Sequence, residues 1–139
     1  MQNYRKTGAT EPFTVLAGAA VTKNNLVALD TGDAKNITNG AKCLGVALNT
    51  GAAGATVNIL RKDVVIDVKA AAGVAFTQGD VVYATGSFVL NAGRYLPEVD
   101  AGAQGEFSVG VVVDADIATA GIGKIRTTPS DFYNYTTHA

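Results

Sequence analysis

Side chains that can carry out covalent or acid–base chemistry are few in this sequence and poorly placed to act together. The only histidine, His138, is the penultimate residue of a polar tail, where chains are usually poorly ordered. We therefore expect neither a histidine-based triad nor a histidine-rich metal site. The only cysteine, Cys43, lies in the apolar run AKCLGVAL, which predicts a small buried side chain and not a nucleophile.

Two other patterns suggest chemistry but do not meet its requirements. Asp114 and Asp116 form a D-x-D pair after GVVV, and paired carboxylates can hold a hard cation or transfer protons. Neither the spacing of a calcium loop nor a third nearby carboxylate is present, so we interpret them as solvated, turn-capping residues. The segment GIGKIR has Ile after Lys and leads into a strand, unlike a phosphate-binding loop. The sequence predicts no catalytic residue, no cofactor and no metal.

Composition narrows the classes of partner. The chain has 139 residues, of which 47% are hydrophobic and 17% charged, enough for one domain with its own core. The low charge leaves a surface rich in Ala, Gly, Thr and Asn, which suits contact with other proteins. The 11 basic and 12 acidic residues form no basic stripe, which argues against nucleic acid. No signal-peptide core or bilayer-length apolar run is present, so we expect no membrane partner.

Short strand-forming runs separated by turn residues dominate the chain. They predict an all-β fold, a small β-barrel or β-tulip-like domain. We expect an N-terminal arm over 1–12, one β domain over 13–127 and a tail over 128–139. The domain divides into candidate halves at 13–68 and 69–127. Segments 68–75 and 97–106 each have room for one helical turn. The predicted strands are 13–16, 26–29, 43–48, 56–60, 64–68, 80–84, 87–90, 107–113 and 123–127.

An internal repeat relates the two halves. AGAAVTKNNLVALD at 17–30 recurs as AGVAFTQGDVVYAT at 72–85, an offset of 55. LGVALNTGAAGATVNI at 44–59 corresponds to VGVVVDADIATAGIGKI at 109–125, an offset of 65 to 66. Asn24 and Gly79 belong to turns that tolerate a left-handed backbone. Gly45 and Gly110, inside the two Gly-Val strands, predict a bulge or a close backbone approach, as at a barrel corner. We expect two similar halves that pack their apolar faces together into one small barrel-like core.

The two ends of the chain contain the candidate contact residues. A free polar tail is usually poor in aromatic residues, yet three of the ten aromatics lie in the last eight residues. Aromatic anchors on an arm suit docking onto a neighbouring subunit or partner; the alternative is that the tail folds back onto its own barrel. The predicted contact residues are Tyr4, Arg5 and Lys6 in the arm, and Phe132, Tyr133 and Tyr135 in the tail.

Three elements together resemble a known family. They are the NY pair of the N-terminal arm, T-x-G-D-x-V-Y at Thr77–Tyr83, and G-V-A…A-G…V-x-I at Gly45–Ile59. The chain is similar over nearly its whole length to phage capsid decoration proteins, also called head-decoration or capsid cement proteins, of the DUF2190-like type. The resemblance implies a small β-rich structural protein without catalytic activity.

The resemblance also implies partners and a location. We expect binding to the major capsid protein on the exterior of an assembled phage head, which stabilises the virion, after synthesis in the host cytoplasm. A homo-oligomer, a trimer, is expected. The aromatic C-terminal tail is longer than the common family pattern. One alternative is a carbohydrate- or surface-binding β module of a phage fibre or tail, although such modules usually expose Trp and this chain has none. A β module attached to an enzyme is a second alternative, against which stands the absence of an enzymatic neighbour on the chain.

Overall fold

The computed structural model describes residues 10–128, and all regular secondary structure in that range is β-strand. The all-β prediction is confirmed. The chain forms two five-stranded sheets, one from each half, and a short two-stranded ribbon. The strands are β1 (Thr10–Thr14), β2 (Ala20–Val21), β3 (Leu26–Asp30), β4 (Asp33–Asn36), β5 (Gly45–Ala47), β6 (Gly51–Ala52), β7 (Thr56–Leu60), β8 (Val65–Ala70), β9 (Val81–Asn91), β10 (Arg94–Asp100), β11 (Ser108–Val113) and β12 (Ile122–Thr127).

The first sheet has the strand order β1-β7-β5-β3-β4 and is antiparallel between neighbours. The two edge strands of this sheet meet, so that the sheet forms a ring. Val15, just after β1, forms a parallel bridge with Ala34 of β4. The amide of Leu16 donates to the carbonyl of Ala34 at 2.8 Å. The ribbon of β2 and β6 pairs Val21 with Gly51 beside this ring.

The second sheet has the order β10-β8-β12-β11-β9, and its ends also meet. Four of its pairings are antiparallel. The fifth, between β8 and β10, is parallel and contains only the pairs Lys69 with Glu98 and Ala70 with Val99. Each half is thus a ring-like sheet whose two ends are joined by one short parallel contact.

The two rings are copies of one topology. Strands β8, β9, β10, β11 and β12 take the places of β1, β3, β4, β5 and β7. The joining contact recurs in detail, because Ala71 donates to the carbonyl of Val99 at 2.9 Å as Leu16 donates to that of Ala34. The two donors are 55 residues apart and the two acceptors 65, the offsets seen in the sequence. The predicted internal repeat is therefore a structural one.

The predicted turns before β3 and β9 are also equivalent. Asn24 and Gly79 both have positive φ, 73° and 96°. The amide of Asn24 donates to the carbonyl of Ala47, and that of Gly79 to the carbonyl of Val112, each at 2.9 Å. A residue that tolerates the left-handed region is required at both positions, as the sequence pattern indicated.

In each half, a glycine lies where the fourth strand of the ring, counted along the chain, pairs with the fifth. A Cβ atom at Gly45 would fall on the carbonyl oxygen of Leu60, and one at Gly110 would lie 2.7 Å from that of Arg126. Residues 60 and 126 are themselves equivalent at the offset of 66. The predicted close backbone approach is present in both rings.

The core forms two apolar clusters, so the expected single barrel-like core is wrong, because each half closes its own sheet around its own apolar side chains. One fills the first ring, with Val15, Val21, Val27, Ala34, Leu44, Ala47, Val57 and Ile59. The second fills the other ring and includes the equivalents of most of these residues, among them Val82, Val109, Val112 and Ile125. The second cluster also contains five residues of the first half, so the first half packs its outer face against the second ring. Those five residues are Leu26, Ala28, Ile37, Cys43 and Val46.

One packed pair has exchanged its large and small members between the halves. A Cβ atom at Gly51 would lie 2.5 Å from Cγ1 of Val57 in the first ring. At the equivalent positions of the second ring, Ile117 takes the place of Gly51 and Gly123 that of Val57, again in contact. The volume inside each ring is kept because a gain at one position is matched by a loss at the other.

Several predicted boundaries differ from the structure. Strand 56–60 is found as predicted. The predicted strands 80–84, from residue 81 onward, and 87–90 are parts of one long strand, β9. The strand of residues 33–36, with the sequence DAKN, was missed because its residues have low strand propensity, and β10 was missed because it contains Pro97. The helical turns at 68–75 and 97–106 are wrong, since those segments begin inside β8 and β10.

The assigned segment limits also shift. Thr10, Glu11 and Pro12, placed in the N-terminal arm by the sequence, form the start of β1 and pair with Leu60, Ile59 and Asn58. The expected division between halves after residue 68 falls inside β8, which belongs wholly to the second ring. Hydrophobic patterning could not locate this division because strand-forming residues continue across it.

Replacing Gly110 by Ala is expected to lower the free energy of unfolding by about 2 kcal/mol or more, because the new methyl group meets a strand carbonyl that cannot move freely. Chemical denaturation monitored by circular dichroism measures this. Gly54→Asn is the control: the position has φ +82° and open space around it, so a change below about 1 kcal/mol is expected. Equal stabilities of the two variants would contradict the close approach.

Candidate functional site

Cys43 is a core residue. It is 1% exposed, and its Sγ lies 3.5 Å from the carbonyl oxygen of Gly45, to which the thiol donates. Burial raises the pKa of the Cys43 thiol to about 12, and the opposing effect of the nearby backbone of Gly45 and Val27 is smaller. The thiol therefore stays protonated at neutral pH. The prediction of a small buried side chain is confirmed.

Asp114 and Asp116 lie in the turn after β11, where both are exposed. The amide of Gln78 donates to Oδ1 of Asp116 at 2.8 Å, and Asp114 has positive φ, 72°. The equivalent contact in the first half is from Lys23 to the hydroxyl of Thr50 at 3.1 Å. A neutral hydroxyl in the first half thus accepts the same hydrogen bond as the carboxylate in the second half, which identifies the contact as a turn cap. No group of three metal-ligating side chains occurs between residues 10 and 128.

The six predicted contact residues, Tyr4, Arg5, Lys6, Phe132, Tyr133 and Tyr135, lie outside the described residues. The structure does show where the described chain starts and stops. Thr10 pairs with Leu60 at the end of β7. The hydroxyl of Thr127 contacts the carbonyl of Lys62 at 3.4 Å and accepts from the amide of Val64 at 3.0 Å. Both ends therefore lie beside the connection between the two rings.

A cluster of three charged side chains spans the weakest seam of the second ring. Asp67 of β8 accepts from Lys124 of β12 at 2.6 Å and from Arg94 of β10. Lys124 and Arg94 together lower the pKa of the Asp67 carboxyl. The side chain of Asp67 is 16% exposed, so solvent weakens this attraction less than at an open surface. The cluster reinforces the seam where β8 and β10 share only two residue pairs.

A groove of about 750 Å³ is lined mainly by residues of the first ring. Its walls include the apolar side chains of Phe13, Leu29 and Phe107. Leu29 is 43% exposed, although Val27, two residues earlier on the same side of β3, is fully buried. We call this surface the Leu29 groove. It is lined by Glu11, Phe13, Ala28, Leu29, Lys35, Thr38, Ala41, Lys42, Leu44, Arg61 and Phe107.

Charged side chains border the apolar part of the Leu29 groove. Arg61 Nη1 and Glu11 Oε1 form an ion pair at 2.6 Å. Lys42 places its ammonium group 5.1 Å from the ring centre of Phe107, within the range of a cation–π contact. An apolar floor with a charged border suits a protein segment better than a small polar substrate. Sequence reasoning missed this groove because its walls come from both halves of the chain.

The comparison with known families agrees with this architecture. Residues 6–127 match the model of the phage cement protein family. The chain belongs to the phage cement protein family. No curated protein matches it. The resemblance found in the sequence is thereby confirmed, and this cement protein is a structural component of a phage capsid, in a family that is typically non-enzymatic.

The match extends over both rings of the cement protein, including the Leu29 groove and the connection between the rings. Residues 10–128 contain no helix of the length and apolar character needed to cross a membrane. The matched segment begins at residue 6 and therefore includes Lys6, one of the predicted N-terminal contact residues.

The thiol of Cys43 is expected to react with an aromatic disulfide reagent at least about 100-fold more slowly in the native cement protein than in denaturant, because only opening of the core exposes it. Absorbance of the released thiolate follows the reaction. Raising the pH from 7 to 9 should leave the ratio of the denatured to the native rate nearly unchanged, because in both cases the thiol that reacts is no longer covered by the core. Rapid native labelling would show that Cys43 is accessible.

Asp67→Asn is expected to lower the free energy of unfolding by about 1 kcal/mol at pH 7, because the charge cluster loses its only carboxylate. The pKa of Asp67 is lowered in the folded state, so its contribution is present above the unfolded carboxyl pKa and is lost as the pH falls through the folded value. The difference between wild type and variant should therefore narrow below about pH 4. Denaturation curves between pH 2 and 7 measure it; Asp63→Asn, at an exposed carboxylate, is the control.

Proposed function

We propose that this cement protein binds the outer surface of an assembled phage head, contacts the major capsid protein and stabilises the shell as a homotrimer. The match to the phage cement protein family over residues 6–127 carries this proposal. A protein that binds the assembled shell better than its separate parts shifts the equilibrium toward the shell. Several copies or several contacts per copy add avidity, so that each single contact can be weak.

The surface of the β domain supports a role in protein contact. Large apolar side chains are exposed at separate places around the described surface, and charged residues make up only 17% of the chain. Contacts of this kind depend on shape and on apolar burial more than on long-range attraction. The exposed apolar residues are Leu29, Leu48, Val65, Val81, Leu90, Tyr95 and Ile122.

The two terminal segments supply the proposed capsid contacts. Thr10 and Thr127 both lie beside residues 60–64, so the segments that carry the six predicted residues leave the domain from one region. Two arms that start together can contact the same capsid surface without any change in the rings. Tyr4 and Arg5 are the preferred anchors because aromatic and guanidinium side chains dominate binding energy at protein interfaces.

Co-sedimentation with undecorated, expanded capsids tests the proposal. Purified cement protein at about 1 µM is expected to pellet with the capsids and to saturate at a fixed ratio to the major capsid protein, as specific sites with affinities of this order require. Unexpanded capsids or dissociated capsid protein are the matched comparison. Absence from the expanded-capsid pellet would sink the proposed function.

The Tyr4→Ala, Arg5→Ala double variant is expected to bind capsids at least about tenfold more weakly, because it removes the proposed anchors. Its unfolding midpoint should stay at the wild-type value, since both residues precede β1. The matched control is Leu90→Ala, at an exposed apolar residue of β9. Capsid affinity equal to wild type in the double variant would refute the N-terminal assignment and leave the tail residues Phe132, Tyr133 and Tyr135 to be tested in the same way.

A further inference from the structure

The second half leaves exposed a surface whose equivalent in the first half is buried. Leu26 of β3 and Val46 of β5 are cross-strand partners on the outer face of the first ring, and both are buried, at 0% and 5% exposure. Their equivalents, Val81 and Val111, are cross-strand partners in the same way. Val81 is 45% exposed and Val111 is half-buried. We call this pair and its surroundings the Val81 face.

The first-half pair is buried because it packs on the second ring. Leu26 and Val46 belong to the same apolar cluster as Val68, Ala84 and Val109, which line that ring. Backbone hydrogen bonds fix the junction beside it. The amide of Gly40 donates to the carbonyl of Ala84 at 3.0 Å, and the amide of Phe107 donates to that of Gly40 at 2.9 Å.

The ring surface that receives the first half also has an equivalent, which is open at Leu29. Positions 68, 84 and 109 correspond to Phe13, Leu29 and Leu44 of the first ring, all of which line the Leu29 groove. Ala84 is 1% exposed, whereas Leu29 is 43% exposed. A single chain therefore has one joined pair of surfaces and retains the other two members of the same pair, the Val81 face and the Leu29 groove.

We propose that the Val81 face of one copy docks into the Leu29 groove of a second copy, head to tail. The occupant is a second copy because the chain already joins these two kinds of surface once, between its own halves. The contact is heterologous: the two surfaces differ, and each copy keeps one of each for the next neighbour.

The residue sizes at the two junctions are reciprocal. Within the chain, the larger Leu26 is on the face and the smaller Ala84 is on the ring. Between copies, the smaller Val81 is on the face and the larger Leu29 is in the groove. Leu26 and Ala84 together have five side-chain carbon atoms, and Val81 and Leu29 together have seven, so the contact between copies is the bulkier of the two.

Sedimentation of the full chain without capsids tests this inference separately from the proposed capsid binding. Val81→Lys and Leu29→Lys each place an ammonium group in the proposed contact, and each is expected to weaken self-association roughly 100-fold. Both positions are exposed in the single chain, so the unfolding midpoints should stay close to that of wild type. Leu90→Lys is the control at an exposed apolar residue outside both surfaces, and it should associate as wild type does.

Mixing the two variants is the decisive step. The Val81→Lys protein retains an intact groove and the Leu29→Lys protein an intact face, so a one-to-one mixture is expected to form heterodimers of wild-type affinity and nothing larger. An isologous contact, in which both copies use one surface, gives no such recovery.

Three results would overturn the inference. The first is a wild-type protein that stays monomeric up to about 1 mM, which excludes even a weak contact. The second is an assembly that both lysine variants leave unchanged, or that their mixture fails to restore. The third is loss of assembly when residues 1–9 are deleted, which would make the N-terminal segment of the chain the occupant of the groove.

Discussion

The packing of the first ring's outer face against the second ring is the contact on which the rest of the molecule depends. Each half has about 60 residues, a size at which a domain buries only about 60% of its unfolded surface and is marginally stable. The junction adds five residues of the first half to the core of the second. It also makes the two copies of the repeat unequal, because one outer face and one ring end are covered and their equivalents are not.

This inequality explains where the repeat has diverged. Asn25 is 1% exposed, and its side-chain amide has no hydrogen-bond partner among the described residues. The equivalent position in the second half is Asp80, an exposed carboxylate that caps its own turn by accepting from Thr77 at 2.8 Å. A buried, unpaired carboxylate is far less favourable than a buried amide. Asn25, which is buried next to the junction residue Leu26, therefore carries a neutral side chain, and the exposed Asp80 carries the charged one.

A structural protein of a phage capsid needs a fold that holds its shape while its surfaces make contacts, and this architecture meets the requirement. The parallel contact that joins each ring is short, but it is supported by a backbone hydrogen bond in both halves. In the second half it is supported further by Asp67 with its two cationic partners. The side chains with the greatest chemical reactivity are used for structure, as the protonated thiol of Cys43 in the core shows. Contact surfaces are left at the ends of the rings and at the chain termini.

The sequence by itself determined the all-β class, the repeat and the family resemblance, because these depend on local patterns. Turn residues such as Asn24 and Gly79 report a backbone conformation directly, and strand glycines such as Gly45 report the absence of space for a side chain. Strand β4 could not be found in the same way, since its residues are held by pairing with β3 rather than by their own propensity. Only the tertiary structure decided that each half forms its own ring and that Leu29 is exposed where Ala84 is buried. The physical reason is that a residue becomes buried only when a second surface packs against it. The repeat pattern in the sequence is the same whether or not that second surface is present.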